Sequence, residues 1–141
     1  MAHLNPFVRF NDGKCREAMH FYKECLGGGE LSFMTLGESP MAKESPKEQH
    51  HLIMHSTLKK DNWTLIGSDM MRDKATLGDN VGLSLECESE KEINTIFNHL
   101  SKGGDVFMPV EEAFWGAFFG MVTDKYGVEW MLNCQIKEKQ K

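Results

Sequence analysis

The chain has 141 residues, 40% hydrophobic and 26% charged, with a formal net charge of −5 and a pI near 5.7. That balance suits a globular chain able to bury a sizeable core. An acidic total with no basic patch argues against a nucleic-acid binder, and no stretch approaches the ~18 apolar residues of a membrane span.

The N-terminal Met-Ala-His-Leu-Asn-Pro lacks a charged region followed by an apolar run, so a soluble, cytoplasmic protein is expected. Pro6-Phe7-Val8-Arg9-Phe10 reads as a first strand. From Lys14 to Leu26 the apolar residues Cys15, Ala18, Met19, Tyr22, Cys25 and Leu26 recur at helical spacing, and Gly27-Gly28-Gly29 stops the helix. Cys15 and Cys25 would lie about 15 Å apart along such a helix, too far for a disulfide. With Cys87 and Cys134 showing no CxxC spacing, reduced thiols are expected.

Leu31 to Leu36 reads as a strand, followed by a polar loop, Gly37 to Gln49, with Pro40 and Pro46. A hairpin is expected next, from His51 to Leu58, through the turn Lys59-Lys60-Asp61-Asn62, to Trp63–Asp69. A linker, Met70 to Asn80, leads to a strand over Val81–Glu86. Ser89-Glu90-Lys91-Glu92 matches a capping box and opens a second helix with the stripe Ile93, Ile96, Phe97 and Leu100, ended by Gly103-Gly104. A strand over Val106–Val110 and a final hairpin follow. The hairpin's arms are Phe118–Thr123 and Val128–Asn133 around Asp124-Lys125-Tyr126-Gly127, where Asp first and Gly last suit a type I turn. The Lys-rich tail after Ile136 reads as a solvated terminus.

These elements repeat. Gly27 maps to Gly103 and Phe21 to Phe97 at one offset of 76 residues, whereas the hairpin turns, Lys59 and Asp124, are 65 apart. The polar loop at 37–49 absorbs the difference, which costs little loop-closure entropy. The expectation is an α+β fold of two tandem βαβββ units, about 1–70 and 80–136. They would form one domain, with helices covering the outer faces of curved, mixed, mostly antiparallel sheets.

The resembling residues are Pro6-Phe7-Val8-Arg9-Phe10, Ala18 with Phe21-Tyr22-Lys23 and Gly28, Ile53-Met54-His55, Ser68-Asp69, Gly103-Gly104, Met108-Pro109, and Trp115-Gly116 through Trp130-Met131. With the duplicated unit they make the chain resemble the PhnB-like subgroup of the vicinal-oxygen-chelate superfamily, the fold of glyoxalase I, extradiol dioxygenases and the fosfomycin and bleomycin resistance proteins. Some PhnB-like members carry the description of a demethylubiquinone methyltransferase. This sequence has no Gly-rich strand-to-helix turn of the kind that cradles a nucleotide-like cofactor, and no cofactor is expected.

The superfamily's chemistry usually rests on a divalent metal held by His and Glu from the first and last strands of each half. Carried over, those positions fall near Phe7, Ile66, Gly82 and Met131, and their immediate neighbours are equally unable to ligate, so no metal is expected there. Among the histidines, His51 and His55 would be about 13 Å apart on a strand, too far to share an ion. His55 is either a polar or proton-transfer group at a pocket edge or a hydrogen-bonded sheet histidine.

Strand alternation puts Glu129, Met131 and Asn133 on the cavity face of the last strand, Thr64, Ile66 and Ser68 on its first-half counterpart, and Phe7 and Arg9 on the first strand. Trp115 either gates or stacks on a ligand, or fills a core or dimer interface. The candidate ligand-binding residues are therefore His55, Ser68, Trp115, Glu129 and Met131, while Asp69 and Asp124 read as turn caps. Metal-independent binding or sequestration of a small molecule by a homodimer is the leading expectation. The alternatives are an enzyme using relocated acid–base residues such as His55, Glu129 or Asp69, and a non-catalytic interaction protein.

Overall fold

The computed structural model describes residues 1–69 and 74–136; Met70 and Met71 and the Lys-rich tail lie outside them. The chain divides into two compact units, Met1–Thr76 and Leu77–Lys141. The first runs β1 (Phe7–Arg9), α1 (Cys15–Cys25), β2 (Glu30–Thr35), β3 (Ile53–Lys60) and β4 (Trp63–Ser68). The second runs β5 (Leu83–Glu86), α2 (Glu90–Ser101), β6 (Asp105–Ala113), β7 (Ala117–Thr123) and β8 (Glu129–Gln135). Each forms a four-stranded sheet, in the orders β1-β4-β3-β2 and β5-β8-β7-β6. The first and last strands of each unit pair parallel, and the other neighbours pair antiparallel. This is the expected α+β, mostly antiparallel fold.

Helical spacing works as the sequence implies. Cys15, Ala18, Met19, Tyr22 and Cys25 form the buried stripe of α1, and Ile93, Ile96, Phe97 and Leu100 that of α2. Each helix covers one face of its own sheet, against Ser56, Leu58 and Leu65 in the first unit and Val122, Trp130 and Leu132 in the second, all buried. The helix approaches so closely that each sheet needs a glycine beneath it. A Cβ at Gly67 would meet Met19 Sδ at 2.7 Å, and one at Gly120 would meet Phe97 Cε2 at 2.8 Å.

The helix ends refine the sequence reading. Ser89 Oγ accepts from Glu92 N (3.0 Å), but the Glu92 carboxylate accepts from Glu88 N (3.0 Å) rather than from the cap residue, so the expected box is only half formed. A complete box occurs instead at Thr35 and Glu38, opening the first of three short 3-10 turns over 36–49. At the other end of α1, Lys60 Nζ donates to Leu26 O at 2.7 Å, placing a cation where the helix dipole is negative.

Two carboxylates tie the units together internally. Asp69 accepts from Cys15 N at the start of α1 (2.8 Å) and from Ile53 N at the start of β3 (2.9 Å). Asp124 accepts from Tyr126 N (2.8 Å), Val128 N (3.1 Å) and the indole Nε1 of Trp130 (2.8 Å). The latter group closes the last hairpin turn, which also has the Gly127 N–H to Asp124 O bond. The first hairpin turns more tightly than expected, with Lys60 paired to Trp63 and only Asp61 and Asn62 between them.

All four cysteines are free and buried. Burial pushes the Cys15 thiol up to about 12, outweighing the opposing hydrogen bond with Ser56. Burial, reinforced by the Glu92 charge, pushes Cys87 to about 12 as well. A group whose folded pKa is raised contributes stability that is complete below its unfolded value and lost as pH rises through the folded one. For these thiols the window is about pH 9 to 12, where the unfolded chain ionises and the folded chain does not.

Two predictions follow from these buried groups. Urea midpoints measured from pH 7 to 10.5 should fall above about pH 9, and the fall should be shallower in the Cys15→Ala, Cys87→Ala double variant. Identical slopes would show that the thiols do not contribute. Separately, Asp124→Ala strands a buried indole N–H and two turn amides, which should cost about 2–4 kcal/mol in urea unfolding. A loss below about 1 kcal/mol would mean that water replaces the carboxylate.

Candidate functional site

Because one helix covers one face of each sheet, strand alternation leaves a second face in each unit turned away from it. In the first unit the row across that face is Phe7–Ile66–Thr57–Ser32. Arg9 stands opposite Ser68 on the same side, and His55 stands opposite Met34. Lys59 faces Thr64 on one side and Glu30 on the other.

In the second unit two full rows can be read off. One is Ser84–Met131–Met121–Met108 and the next Glu86–Asn133–Phe119–Glu111. A third, partial row is Glu129–Thr123–Asp105. The β6–β7 connection brings Trp115 back onto the second row. Its indole Nε1 donates to Asn133 Oδ1 (3.3 Å), and Asn133 Nδ2 donates to Glu86 Oε2 (3.0 Å). Trp115 lies edge-to-face with Phe119 (centroids 5.2 Å, 75°) and with Phe114 (5.0 Å, 86°). The row is thus an aromatic group linked by an amide relay to a carboxylate.

The five candidates divide between the units. His55 is exposed on β3 and belongs to the first, as does Ser68. Ser68 is fully buried, and its hydroxyl donates to Met54 O at 2.7 Å, so this side chain stitches β4 to β3. Trp115, Glu129 and Met131 share the open face of the second unit, Trp115 being 46% exposed and the other two half-buried. Sequence reasoning reached Asn133 but missed Glu86, Phe119 and Met121, which only strand register assembles with it. The alternation of Phe119 and Met121 with Gly120 and Val122 was the available signal.

The superfamily metal position can be tested on side-chain chemistry. Phe7 does pair with Ile66, but Met131 pairs with Ser84, and Gly82 lies before β5 begins. A phenyl, an alkyl, a hydroxyl and a thioether do not suit a hard divalent ion. Among the described residues no group of three or more His, Cys, Asp or Glu is placed to hold a metal. Among the described residues, neither α-helix start is open to a methyl-donor cofactor of nucleotide type. The first N–H of α1 is taken by the Asp69 carboxylate, and α2 opens on Ser89 with Glu88, Glu90 and Glu92 beside it.

A family model described as 3-demethylubiquinone-9 3-methyltransferase matches residues 2–133. Protein YjdN of Escherichia coli strain K12 is 30% identical over 138 residues, 92% of this chain and 93% of that protein. The crystal structure of PA1353 from Pseudomonas aeruginosa superposes with a TM-score of 0.85 at 36% identity, covering 97% of this chain and all of that one (100%). A PhnB protein from Bacillus cereus gives 0.77 at 27%, with 94% and 99% covered. A glyoxalase/bleomycin resistance protein/dioxygenase family enzyme from Burkholderia phytofirmans shares the fold, at a TM-score of 0.61 and 10% identity over 92% and 97% of the chains.

Asn133 is the hinge of the relay. Asn133→Ala should free the Trp115 indole, red-shifting its emission and raising acrylamide quenching. Because the relay is solvent-exposed, unfolding should become easier by less than about 1 kcal/mol. Unchanged quenching would show that Phe114 and Phe119 alone hold the ring.

Proposed function

We propose that this chain, which belongs to the PhnB-like 3-demethylubiquinone-9 3-methyltransferase family and has the glyoxalase fold, is a metal-independent small-molecule binding or sequestration protein. One observation carries the reading: the half-buried face of the second unit, where Trp115, Asn133 and Glu86 are hydrogen-bonded beside Phe119, Met121 and Met131. An apolar, polarizable surface with a few fixed polar groups is the usual make-up of a small-molecule site. Binding is favoured over catalysis because Asp69, the acid–base candidate of the first hairpin, is spent on backbone amides.

A homodimer in a reducing cytoplasm completes the proposal. Its supports are the exposed Val106, Phe107 and Met108 on the edge strand β6 and the four free, buried cysteines. Among the described residues no helix is long and apolar enough to cross a membrane.

The test is a thermal-shift screen of the full chain, with and without EDTA, over metabolites and antibiotics, followed by NMR mapping of hits. A ligand at 100 times its Kd should add about 2.7 kcal/mol, insensitive to EDTA and lost in Trp115→Ala with the fold intact. Hits that all require added metal, or that never perturb Trp115 or Met131, would reject the reading. Sedimentation equilibrium giving a species near 16.1 kDa would reject the dimer.

A further inference from the structure

The two open faces have the same topology and opposite charge. The face of the first unit bears Arg9, His55 and Lys59 against the single carboxylate Glu30. The four strands of the second unit, β5 to β8, contain Glu86, Asp105, Glu111, Glu112 and Glu129 and not one Lys, Arg or His. Four of those acids, Glu86, Asp105, Glu111 and Glu129, register onto the face turned away from α2. Among the described residues none of the four forms an ion pair.

We propose that this face binds an organic ammonium cation that carries an apolar body. The inference rests on the small-molecule reading above and adds the ligand's charge and shape. Three features converge on it. Phe119 stands in one row between Asn133 and Glu111, with Trp115 folded against it, so electron-rich ring faces lie among carboxylates. Such rings attract cations through their quadrupole. The neighbouring row, Met131–Met121–Met108, offers three thioethers that adapt to an irregular apolar surface. Asn133 fixes Glu86 at the end of the aromatic row.

Spacing decides between a compact metal ion and a bulky cation. Glu86 and Glu111 sit on the outermost strands of the sheet, about 14 Å apart at ordinary strand separation. Asn133 and Glu129 are four residues apart on β8, so the acidic rows lie about 13 Å apart along the strands. Glu86 and Glu111 are therefore too far apart to chelate one ion together, as are carboxylates of different rows, and among the described residues no group of three or more such ligands is placed to hold a metal. Together they create a broad negative potential suited to a large, weakly hydrated charge, and they repel anions.

The experiment uses the full chain and three probes of similar size: benzyltrimethylammonium, its uncharged isostere neopentylbenzene, and the anion phenylacetate. Binding is followed by Trp115 fluorescence and by NMR of the Trp115 indole and the Met121 and Met131 methyls. The cation should perturb these signals and bind at least about tenfold more tightly than the isostere, while phenylacetate leaves them unmoved. Glu86→Gln should weaken the cation about three- to tenfold and Trp115→Leu by about tenfold or more, with melting temperatures close to the parent. Because both positions are on the surface, Glu111→Gln serves as a third, independent variant with the same expected direction.

Equal binding of the cation and the isostere at these signals would overturn the cation inference and leave the small-molecule site standing. Preference for phenylacetate would overturn it too. If none of the three probes moves the second unit's face, both the cation inference and the small-molecule reading fall.

Discussion

Each unit has one helix for one four-stranded sheet, and the rest of the structure depends on that shortage. A sheet has two faces, and a single helix can desolvate only one of them. Burying Met19 and Tyr22, or Ile93 and Leu100, contributes roughly 1.5–3 kcal/mol per side chain, so the covered face is tightly constrained. Gly67 and Gly120 show how tightly, because neither position has room for a methyl group beneath the helix. The uncovered face carries no such obligation. Its residues are free to follow function, and the two units use that freedom differently.

The duplication therefore separates fold from chemistry. On the covered face the units are interchangeable in kind: Leu58 and Leu65 in one, Val122 and Leu132 in the other. On the open face they diverge, one carrying Arg9, His55 and Lys59, the other methionines, aromatics and carboxylates. Nothing about pairing geometry demands this contrast. Val or Thr in place of Met121 and Met131 would satisfy β-propensity better.

The same division explains what could be read from the sequence. Both helices were legible because their stripes obey one period, and the hairpins because Lys59–Asn62 and Asp124–Gly127 are strong turn signals. Phe7 and Ile66, expected on one face, do stand side by side. Met131 pairs with Ser84 rather than with Gly82, which lies before β5 begins at Leu83, a register that a short parallel strand does not announce. The Trp115–Asn133–Glu86 relay was not legible as a unit. It joins three elements through a return loop, and bulges in β6 at Val106/Met108 and Met108/Glu111 break the alternation that would have aligned Glu111 with Phe119. Ser68 illustrates a different limit: alternation gave its face, but not that its hydroxyl is consumed by Met54 O.

Accounting for each carboxylate also narrows what the protein can do. Asp69 and Asp124 look like acid–base candidates in a list of residues, yet both oxygens of each accept N–H bonds that hold a helix start, a strand start or a turn. A carboxylate so engaged is held in place by the backbone groups it caps. Burial pushes the Cys15 and Cys87 thiols up to about 12, so neither carries a thiolate near neutral pH. The titratable groups on the open sheet faces are Glu86, Asp105, Glu111 and Glu129 in one unit and Arg9, Glu30, His55 and Lys59 in the other. The carboxylates of the second unit share one sign and have Phe119 and Trp115 among them, and it is this combination on which the proposed recognition of a cation rests.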